Sequence, residues 1–303
     1  MQDLVNAILA FSAPEQLLFD EPMAAHTTFR VGGPADLFYL PRSAAELKKA
    51  LQAADSAGVP ALVIGNGSNL LVRDGGVHGL VIALGEDFST VRVEGTTLFA
   101  EAGARLSRVA QTAQAAGLAG LEFASGIPGT LGGGVAMNAG AYGGQISDVL
   151  IDAEVLLDGE VRTLDRAALE MGYRSTLPLR KGGIVTSARF ELTPDDPAVI
   201  DARMRELNAR RRDKQPLNFP SAGSTFKRPE GYFAGALIEG AGLKGASVGG
   251  AQVSPKHAGF IVNTGSATAA DVLALIHHVQ ETVYQKDGVR LELEVRVVGE
   301  ERE

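Results

Sequence analysis

One stretch of this chain constrains its fold more than any other: residues 125–144, SGIPGTLGGGVAMNAGAYGG, hold eight glycines in twenty positions. Glycine offers little side chain to a core, but it allows positive φ and lets backbone N–H groups approach a ligand closely. A long segment with so little to pack usually wraps around something. Its apolar members, Ile127, Pro128, Met137 and Tyr142, suit a flat aromatic ligand with a phosphate tail. The structural alternative is a glycine-rich turn or the corner of a β-solenoid.

A second glycine cluster, GNGSN at 65–69, follows the short apolar run 60–64. Successive backbone N–H groups in such a turn form a nest for phosphate oxygens, and Ser68 and Asn69 add side-chain donors. A strand-like run follows, where a Rossmann site needs the start of a helix, and no Gly-Lys-Ser/Thr is present for a Walker loop. From the residues alone, a phosphate loop and a plain tight turn are equally good interpretations.

Composition excludes several kinds of site. The chain has no cysteine, so disulfides, thiol nucleophiles, iron–sulfur clusters and cysteine-ligated zinc are ruled out. Its five histidines show no metal-binding spacing, and we predict no metal site. With 28 basic and 36 acidic residues the net charge is −8, so no nucleic-acid partner is expected.

The sequence also predicts a cellular location. No stretch approaches about 18 consecutive apolar residues, so neither a membrane span nor a membrane partner is expected. The N-terminus carries acidic residues and lacks the basic region of a secretory signal. A chain without cysteine fits a reducing compartment. We therefore expect a cytoplasmic protein.

Helical and strand patterns mixed along the chain predict two α+β domains. A chain of 303 residues is long enough for about two domains. The best boundary is TPDDPAV at 193–199, which has two prolines, two acidic residues and no apolar periodicity. We predict a glycine-rich domain over 1–195 and a smaller domain over 196–303.

Two helices have a capping signal at the N-terminus. Ser43 and Glu46 have the S-x-x-E spacing of a capping box and precede an apolar helical face. Thr268 and Asp271 have the same spacing and begin a helix predicted over 269–284.

Four segments are typical of β-structure. The segment 26–41 predicts a strand, a Gly-Gly turn and a second strand, and 60–64 predicts a short buried strand. Asp158-Gly159 predicts the turn of a hairpin. Alternate residues are apolar in the last predicted strand, 289–298.

Three polar features have an ordinary structural explanation when only the residues are considered. Arg174 stands in the loop YRST, where an arginine clamp for a carboxylate competes with a surface salt bridge. Ser224 has no histidine partner for nucleophilic catalysis and is most simply a turn serine. Glu292 and Glu294 share one face of the last strand, which favours a solvated surface over a buried acid–base residue.

Nine segments occur in an order that carries more information than any of them alone. They are TTFRVGGPA (27–35), GNGSNLLV (65–72), SGIPGTLGGGVAMNAGAYG (125–143), YRST (173–176), KQP (214–216), SAGSTFK (221–227), LIEGAGLKG (237–245), SPKHAGFIVNTGSATAADV (254–272) and LELEVRVVG (291–299). Together they resemble the UDP-N-acetylenolpyruvoylglucosamine reductase family over nearly the whole chain. The short length, with no added loop to cover the substrate, resembles the compact subtype of that family.

The resemblance implies a fold and a reaction. The fold class is α+β, with an FAD-binding domain of the vanillyl-alcohol-oxidase type in two lobes over 1–195 and a substrate-binding domain over 196–303. NADPH should reduce the non-covalently bound FAD and leave, and UDP-N-acetylglucosamine enolpyruvate should then bind. A hydride should pass from flavin N5 to the enolpyruvyl methylene carbon, and protonation of the adjacent carbon should give UDP-N-acetylmuramate.

The same resemblance implies a biological setting. The product is a peptidoglycan precursor, which connects the chain to cell-wall biogenesis, cell shape and cell division. The family also leads us to expect a monomer.

Site residues follow from the resemblance motif by motif. Ser224 matches the proton donor, and Arg174 and Glu294 match the pair that polarises the substrate carboxylate and stabilises the enol. Lys214 matches a substrate-binding lysine, and Arg228 and Tyr142 are also expected at the substrate. The implied FAD-binding residues are Gly65, Asn66, Gly67, Ser68, Asn69, Gly126, Ile127, Pro128, Gly129, Thr130, Asn138, Gly140 and Ala141.

The chain departs from the family pattern at a few positions. Arg228 stands where the family usually has asparagine, and Gly259 also replaces an asparagine in KHAGF. Gly144-Gln145 occupies a place where an acidic residue is common. Arg228 matters most, because an asparagine there would contact the substrate.

Two alternative functions stay open. One is another flavin-dependent sugar or alcohol oxidoreductase of the same fold, which has no reason to carry YRST, GSTFK and LELEV together. The other is a non-catalytic protein that binds flavin or a sugar nucleotide, which would be expected to have lost Ser224 or Glu294.

Overall fold

The structure, a computed structural model, describes residues 1–302. Its α-helices are α1 (Gln2–Leu9), α2 (Ala44–Ser56), α3 (Leu106–Ala115), α4 (Leu131–Ala136), α5 (Leu177–Lys181), α6 (Pro197–Lys214), α7 (Ala234–Gly240) and α8 (Ala269–Asp287). Its strands are β1 (Leu17–Pro22), β2 (Pro34–Tyr39), β3 (Ala61–Ile64), β4 (Leu70–Val72), β5 (Val77–Ala83), β6 (Val91–Glu94), β7 (Thr97–Glu101), β8 (Leu118–Ala119), β9 (Gly140–Ala141), β10 (Gly144–Gln145), β11 (Leu150–Leu157), β12 (Glu160–Asp165), β13 (Ile184–Glu191), β14 (Thr193–Pro194), β15 (Ser247–Val248), β16 (Ala251–Val253), β17 (Ile261–Asn263) and β18 (Arg296–Val298).

The larger sheets mix parallel and antiparallel pairing. A five-stranded antiparallel sheet has the order β12-β11-β13-β7-β6. A four-stranded sheet has the order β1-β2-β5-β3, in which β3 is parallel to β5. Strands β15, β16 and β17 form an antiparallel sheet, and β18 is parallel to β4. This mixture of helices and sheets confirms the predicted α+β class.

The chain forms two compact units. The first contains Met1–Leu18, Phe38–Asn66 and Gly79–Arg211, and the second contains Phe19–Leu37, Gly67–His78 and the chain from Arg212 onward. The second unit therefore combines two early segments of the chain with the part that follows Arg211. Helix α6 belongs to the first unit as far as Arg211, and Ile200 and Met204 of this helix are buried in that unit's core. The functional domains predicted over 1–195 and 196–303 remain a prediction.

Each unit has its own hydrophobic core. In the first, the five-stranded sheet contributes Leu98 and Phe190, α3 contributes Val109, and α6 contributes Ile200 and Met204. In the second, the apolar face of α8 packs against residues that include Phe29, Phe226 and Leu291. Burial of these large apolar side chains is the main stabilising contribution to each unit.

The two predicted capping signals give different results. Thr268 and Asp271 form the full box at α8, with reciprocal side-chain bonds to backbone N–H groups. At α2, Ser43 Oγ accepts from Glu46 N at 3.2 Å, which is half of a box. The Glu46 carboxylate instead accepts from the backbone N–H of Arg42 at 2.8 Å. Both helices begin where predicted.

The predicted hairpin is confirmed, whereas the strand before the Gly-Gly turn is wrong. Asp158 and Gly159 both have positive φ between β11 and β12. In the segment 26–41, only the second strand forms, as β2. The chain before it bonds elsewhere: the N–H of Gly33 donates to the carbonyl of Arg73 at 2.9 Å.

The last predicted strand is regular only over Arg296–Val298. Before it the alternation still shows in burial, because Leu291 and Val295 are buried and Glu292 is exposed. The strand predicted over 60–64 forms as β3. The prediction that this strand is buried holds only for Ile64, because Ala61 is exposed and the two residues between them are partly exposed.

Within residues 1–302, no helix is both long enough and apolar enough to cross a membrane. The same residues include no group of three or more histidine, cysteine, aspartate or glutamate side chains placed to hold a metal ion.

Candidate active site

The glycine-rich segment is not the continuous loop that its composition predicts. It contains helix α4 and the short pair β9–β10. A Cβ added at Gly132 would lie 2.8 Å from Ala102 Cβ, and one at Gly134 would lie 3.0 Å from Leu106 Cδ1. These two glycines allow α4 to pack closely in the core, a structural role that differs from both the turn and the β-solenoid corner named as the alternative.

The first two residues of GNGSN meet the glycine-rich segment. A Cβ at Gly65 would overlap Thr130 Oγ1, so this position accommodates glycine only. The side-chain amide of Asn66 donates to the Pro128 carbonyl at 2.6 Å. The two glycine clusters, separate in sequence, therefore form one surface in the first unit. A surface of this kind, crowded at its base and rich in backbone donors, fits the phosphates of a dinucleotide cofactor.

The remaining residues of GNGSN belong to the second unit. Gly67 has φ of +58°, and a Cβ there would overlap the carbonyl oxygen of His26. The side-chain amide of Asn69 donates to the Glu294 carbonyl at 2.9 Å, and the N–H of Arg296 donates to the Asn69 carbonyl at 2.9 Å. These bonds fix the end of the motif on the segment that carries Glu294.

The other predicted FAD-binding residues differ in their exposure to solvent. Residues Ser68, Gly126, Ile127, Gly129, Gly140 and Ala141 are partly exposed, Pro128 is exposed, and Thr130 is buried. Asn138 is 3% exposed, and its side chain bonds to Gln145, Gly172 and Ser147. The Asn138 side chain thus holds neighbouring turns together.

Arg174 lies in a tight turn anchored to the glycine-rich segment. Its φ is +52°, a left-handed conformation that is unusual for a residue with a side chain. The turn is closed by the Gly172 N–H, which donates to the Ser175 carbonyl at 2.8 Å. Thr176 Oγ1 donates to the Ala136 carbonyl at the end of α4 at 2.6 Å. This strained, well-anchored backbone is typical of a functional position.

The structure brings Ser224 and Glu294 onto neighbouring segments of the second unit. The N–H of Glu294 donates to the Thr225 carbonyl at 2.9 Å, and the N–H of Lys227 donates to the Glu292 carbonyl at 2.8 Å. Thr225 is 1% exposed, and its hydroxyl accepts from the N–H of Ile261 at 3.1 Å. Ser224 is therefore next to a rigidly held residue that is bonded to Glu294.

The two glutamates of LELEV differ in their surroundings. The side chain of Glu292 is 74% exposed and pairs with Lys227 Nζ at 3.1 Å. Glu294 is partly buried. The solvated-face explanation is therefore correct for Glu292, while Glu294 lies less exposed to water.

The predicted substrate residues lie at exposed positions. Lys214 ends α6, and its charge helps to lower the pKa of His257, which is lowered mainly by burial. The Arg228 guanidinium lies 4.0 Å from the ring centre of Phe233, a side chain that is 61% exposed. Tyr142 is 40% exposed, at the turn between β9 and β10.

Sequence reasoning missed two residues of α6 that contact the glycine-rich segment. Asn208 Nδ2 donates to Ser125 Oγ at 3.1 Å. A Cβ added at Gly126 would lie 3.1 Å from Arg211 Cδ. The run of three arginines at 210–212 was the available signal, because such a run at a helix end marks a local concentration of positive charge.

Arg174 belongs to the first unit, and Ser224 and Glu294 belong to the second. A fixed guanidinium suits a developing negative charge on a carboxyl-bearing substrate. A hydroxyl and a carboxylate on adjacent segments are suited to proton transfer.

Two family models match the chain. The FAD binding domain matches residues 35–165, and the C-terminal domain of UDP-N-acetylenolpyruvoylglucosamine reductase matches residues 215–298.

Curated relatives match over almost the full length. The UDP-N-acetylenolpyruvoylglucosamine reductase of Agathobacter rectalis is 56% identical, covering 98% of this chain and 100% of the relative. That of Levilactobacillus brevis is 52% identical, covering 99% and 98%.

Solved structures agree with these matches. The crystal structure of UDP-N-acetylenolpyruvylglucosamine reductase from Thermus caldophilus is 40% identical, with a TM-score of 0.80, and covers 93% of this chain and 97% of that one. An alkyldihydroxyacetonephosphate synthase is 20% identical, with a TM-score of 0.51, over 64% of this chain and 41% of that one. The second likeness concerns the fold alone.

Proposed function

The chain belongs to the UDP-N-acetylenolpyruvoylglucosamine reductase family, and we propose that Ser224, Arg174 and Glu294 carry out its proton transfer and charge stabilisation. It is an FAD-dependent oxidoreductase of peptidoglycan synthesis that uses NADPH to reduce UDP-N-acetylglucosamine enolpyruvate to UDP-N-acetylmuramate. The family membership decides against the two alternatives that the residues had left open. The observation that carries the proposed residue roles is the backbone pairing of Glu294 with Thr225, the residue after Ser224.

The first part of the proposal concerns cofactor binding. Backbone N–H groups of GNGSN, Gly129 and Thr130 hold the FAD pyrophosphate, because the two clusters meet at Gly65, where a Cβ would overlap Thr130 Oγ1. Asn138 acts as a positioning residue, since its side chain is fully bonded inside the protein. FAD, when bound, supplies the hydride.

Ser224 donates the proton that completes the reduction. Within residues 1–302 its hydroxyl has no hydrogen-bond partner, so it is available to a bound substrate. The positive φ of Gly223, +77°, turns the chain immediately before it. Because Thr225 is held by Ile261 and Glu294, the Ser224 side chain is presented from a fixed backbone.

Arg174 and Glu294 act on the enol that forms after hydride transfer. Negative charge then develops on the carboxyl-bearing part of the substrate, where a fixed guanidinium stabilises the transition state more than the ground state. The left-handed turn at Arg174 fixes the backbone from which that guanidinium extends. Glu294, held through its backbone by Asn69 and Thr225, orients the protonation step.

Lys214, Arg228 and Tyr142 bind the substrate from exposed positions. Lys214 supplies a cation for the diphosphate. Arg228 lies on Phe233, and this pair offers a flat cationic surface for the nucleotide. Tyr142 offers an exposed ring at the β9–β10 turn.

We also propose a cytoplasmic, monomeric enzyme. The lack of cysteine supports a reducing compartment, and the monomer rests on the family resemblance. Light scattering of the purified protein coupled to size exclusion tests the monomer, since a mass near 63 kDa, twice 31.6 kDa, would overturn it.

The reaction is tested by an anaerobic absorption experiment on the holoenzyme. NADPH should bleach the yellow protein, and UDP-N-acetylglucosamine enolpyruvate should restore the colour. A protein that bleaches but regains its colour only in air would be a different oxidoreductase of this fold. A colourless protein that takes up no FAD would contradict the proposed roles of both glycine clusters.

A further inference from the structure

Arg211, near the end of α6, faces the glycine-rich segment of the first unit. Its Cδ lies 3.1 Å and its Nη1 lies 3.5 Å from the place of a Cβ at Gly126. A side chain at position 126 would crowd the Arg211 stem at Cδ, so glycine there leaves room for the stem, while the guanidinium lies at ordinary contact distance.

The Arg211 guanidinium is partly buried and has no protein counter-charge. Within residues 1–302 it donates no hydrogen bond and takes part in no ion pair. Removal from water lowers the pKa of Arg211, and the nearby Tyr142 hydroxyl opposes that shift. An arginine stays charged at any physiological pH. A partly buried guanidinium that has no partner in the protein is suited to bind an anion that approaches from solvent.

The neighbours of Arg211 fix the same turn from the same helix. Asn208 Nδ2 donates to Ser125 Oγ at 3.1 Å, and a Cβ at Gly126 would overlap Asn208 Oδ1. One residue earlier, the Arg210 guanidinium lies 5.6 Å from the ring centre of Tyr142. Helix α6 thus holds the two ends of the glycine-rich segment, while Arg211 is left to bind something else.

Other arginines of α6 satisfy their charge within the protein. Arg203 pairs with Asp195 at 2.8 Å, Arg205 with Asp201 at 2.6 Å, and Arg210 with Glu206 at 3.7 Å. The exposed Arg212 has no ion pair within residues 1–302 either, so Arg211 is set apart because it is both unpaired and partly buried.

We propose that Arg211 binds a phosphate group of a bound nucleotide at the Ser125–Gly126 turn. The guanidinium fork matches phosphate oxygens in a bidentate manner. The proposal rests on the proposed function, which brings two sources of phosphate to this enzyme: FAD and the uridine diphosphate sugar. Both present the same chemistry to Arg211, and binding measurements separate them.

The test compares Arg211→Gln, which removes the charge, with Arg211→Lys, which keeps it. Free FAD in the ultrafiltrate of diluted holoenzyme gives the FAD dissociation constant, and titration calorimetry of the holoenzyme gives the affinity for UDP. A charged hydrogen-bonded pair lost in Arg211→Gln should weaken binding of one of these ligands about 10- to 100-fold. Arg211→Lys should recover part of the loss. Weaker FAD binding assigns the cofactor phosphate, and weaker UDP binding with FAD retained assigns the substrate phosphate.

Arg205→Gln is the matched control, because Arg205 lies on the same helix with its side chain 81% exposed. It should change neither affinity. If Arg211→Gln leaves the affinities for FAD and UDP unchanged, the proposal is overturned. A shift of the flavin reduction potential without a change in affinity would place the Arg211 cation at the flavin ring instead of at a phosphate, and would also overturn it. A loss of equal size in the glutamine and lysine variants, with a lower melting temperature, also overturns it. These measurements of affinity and melting temperature do not depend on turnover. The proposed function is tested separately, because it would be refuted by a wild-type enzyme that is inactive on the enolpyruvyl substrate.

Discussion

The side-chain amide of Asn69 donates a 2.9 Å hydrogen bond to the backbone carbonyl of Glu294. The N–H of Arg296 returns a bond of 2.9 Å to the Asn69 carbonyl. A residue of the GNGSN cluster is thereby bonded to the backbone of the glutamate that we assign to catalysis. The motif that we propose binds FAD is thus connected to the backbone of Glu294 through the Asn69 amide.

Asn69→Ala should affect the substrate half of the reaction more than flavin reduction. The variant loses the hydrogen bond from the side-chain amide to the Glu294 carbonyl, and the loss of such a bond costs about 1 kcal/mol of the free energy of unfolding. Because Glu294 is then held less firmly, reoxidation of the reduced flavin by substrate should slow several-fold. Stopped-flow absorbance of each half-reaction measures this. Asn6→Ala, which removes an exposed bond to Gln2, is the control and should leave both half-reactions unchanged. Equal slowing of both half-reactions by Asn69→Ala would contradict the connection.

Ser224→Ala should leave reduction by NADPH intact and slow reoxidation by substrate. Loss of a positioned proton donor typically lowers a rate about 10²- to 10⁴-fold. Single-turnover stopped flow measures the two rates separately. Ser247→Ala, at an exposed position in β15, serves as the control. If Ser224→Ala instead blocked flavin reduction, the proton-donor role would be wrong.

The two glutamates of LELEV offer a matched pair of variants. Glu292→Gln breaks only an exposed pair with Lys227, so stability should change by less than about 1 kcal/mol and turnover should stay the same. Glu294→Gln should lower turnover by about 10²-fold or more, because the proposed partner of the enol loses its charge. Steady-state kinetics with thermal melts separates activity from folding. Similar kinetics for the two variants would remove the special role of Glu294.

Much of the fold follows from local patterns in the sequence. The capping box at Thr268 and the hairpin turn at Asp158-Gly159 depend on residues close together in sequence, and both form as predicted. The strand expected before the Gly-Gly turn does not form, because Gly33 bonds to Arg73, forty residues away. A pairing of this kind carries no local signal. The same reason explains why helix α6 joins the first unit despite the prolines that precede it.

The candidate site, like the fold, could be predicted from the sequence only in part. The glycine clusters stand out by composition, but their meeting at Gly65 and Thr130 depends on the tertiary fold. From the residues alone, Glu292 and Glu294 are indistinguishable, and only the structure shows that one is exposed and the other partly buried. Arg211 was missed because a run of arginines at a helix end is usually solvated. Only the structure shows that Arg211 is partly buried and has no partner within residues 1–302, whereas the neighbouring Arg212 is exposed.

Gly65→Ala should destabilise the protein and weaken FAD binding together. The new Cβ would overlap Thr130 Oγ1, and forced repacking of this kind costs about 1–3 kcal/mol. Adding Thr130→Ala removes the hydroxyl and should restore part of both losses, as expected for residues in contact. Thermal melts and FAD retention after ultrafiltration measure the two effects. Gly85→Ala is the control, since a Cβ there meets nothing within 4 Å. Additive losses in the double variant would contradict the predicted contact.

His257→Gln should reduce the loss of stability between neutral and mildly acidic pH. Burial lowers the pKa of His257 below its ordinary value of 6.5, and Lys244 and Lys214 lower it further, against a backbone bond and Glu239. The unfolded chain therefore binds a proton at this residue before the folded one does, so stability falls as pH drops through 6.5 toward the lowered value. Melting temperatures at several pH values between 7.5 and 5 should fall less steeply in the variant. His277→Gln, whose side chain is 72% exposed, should keep the wild-type slope. A His257→Gln slope equal to that of the wild type would mean that other groups control acid stability in this range.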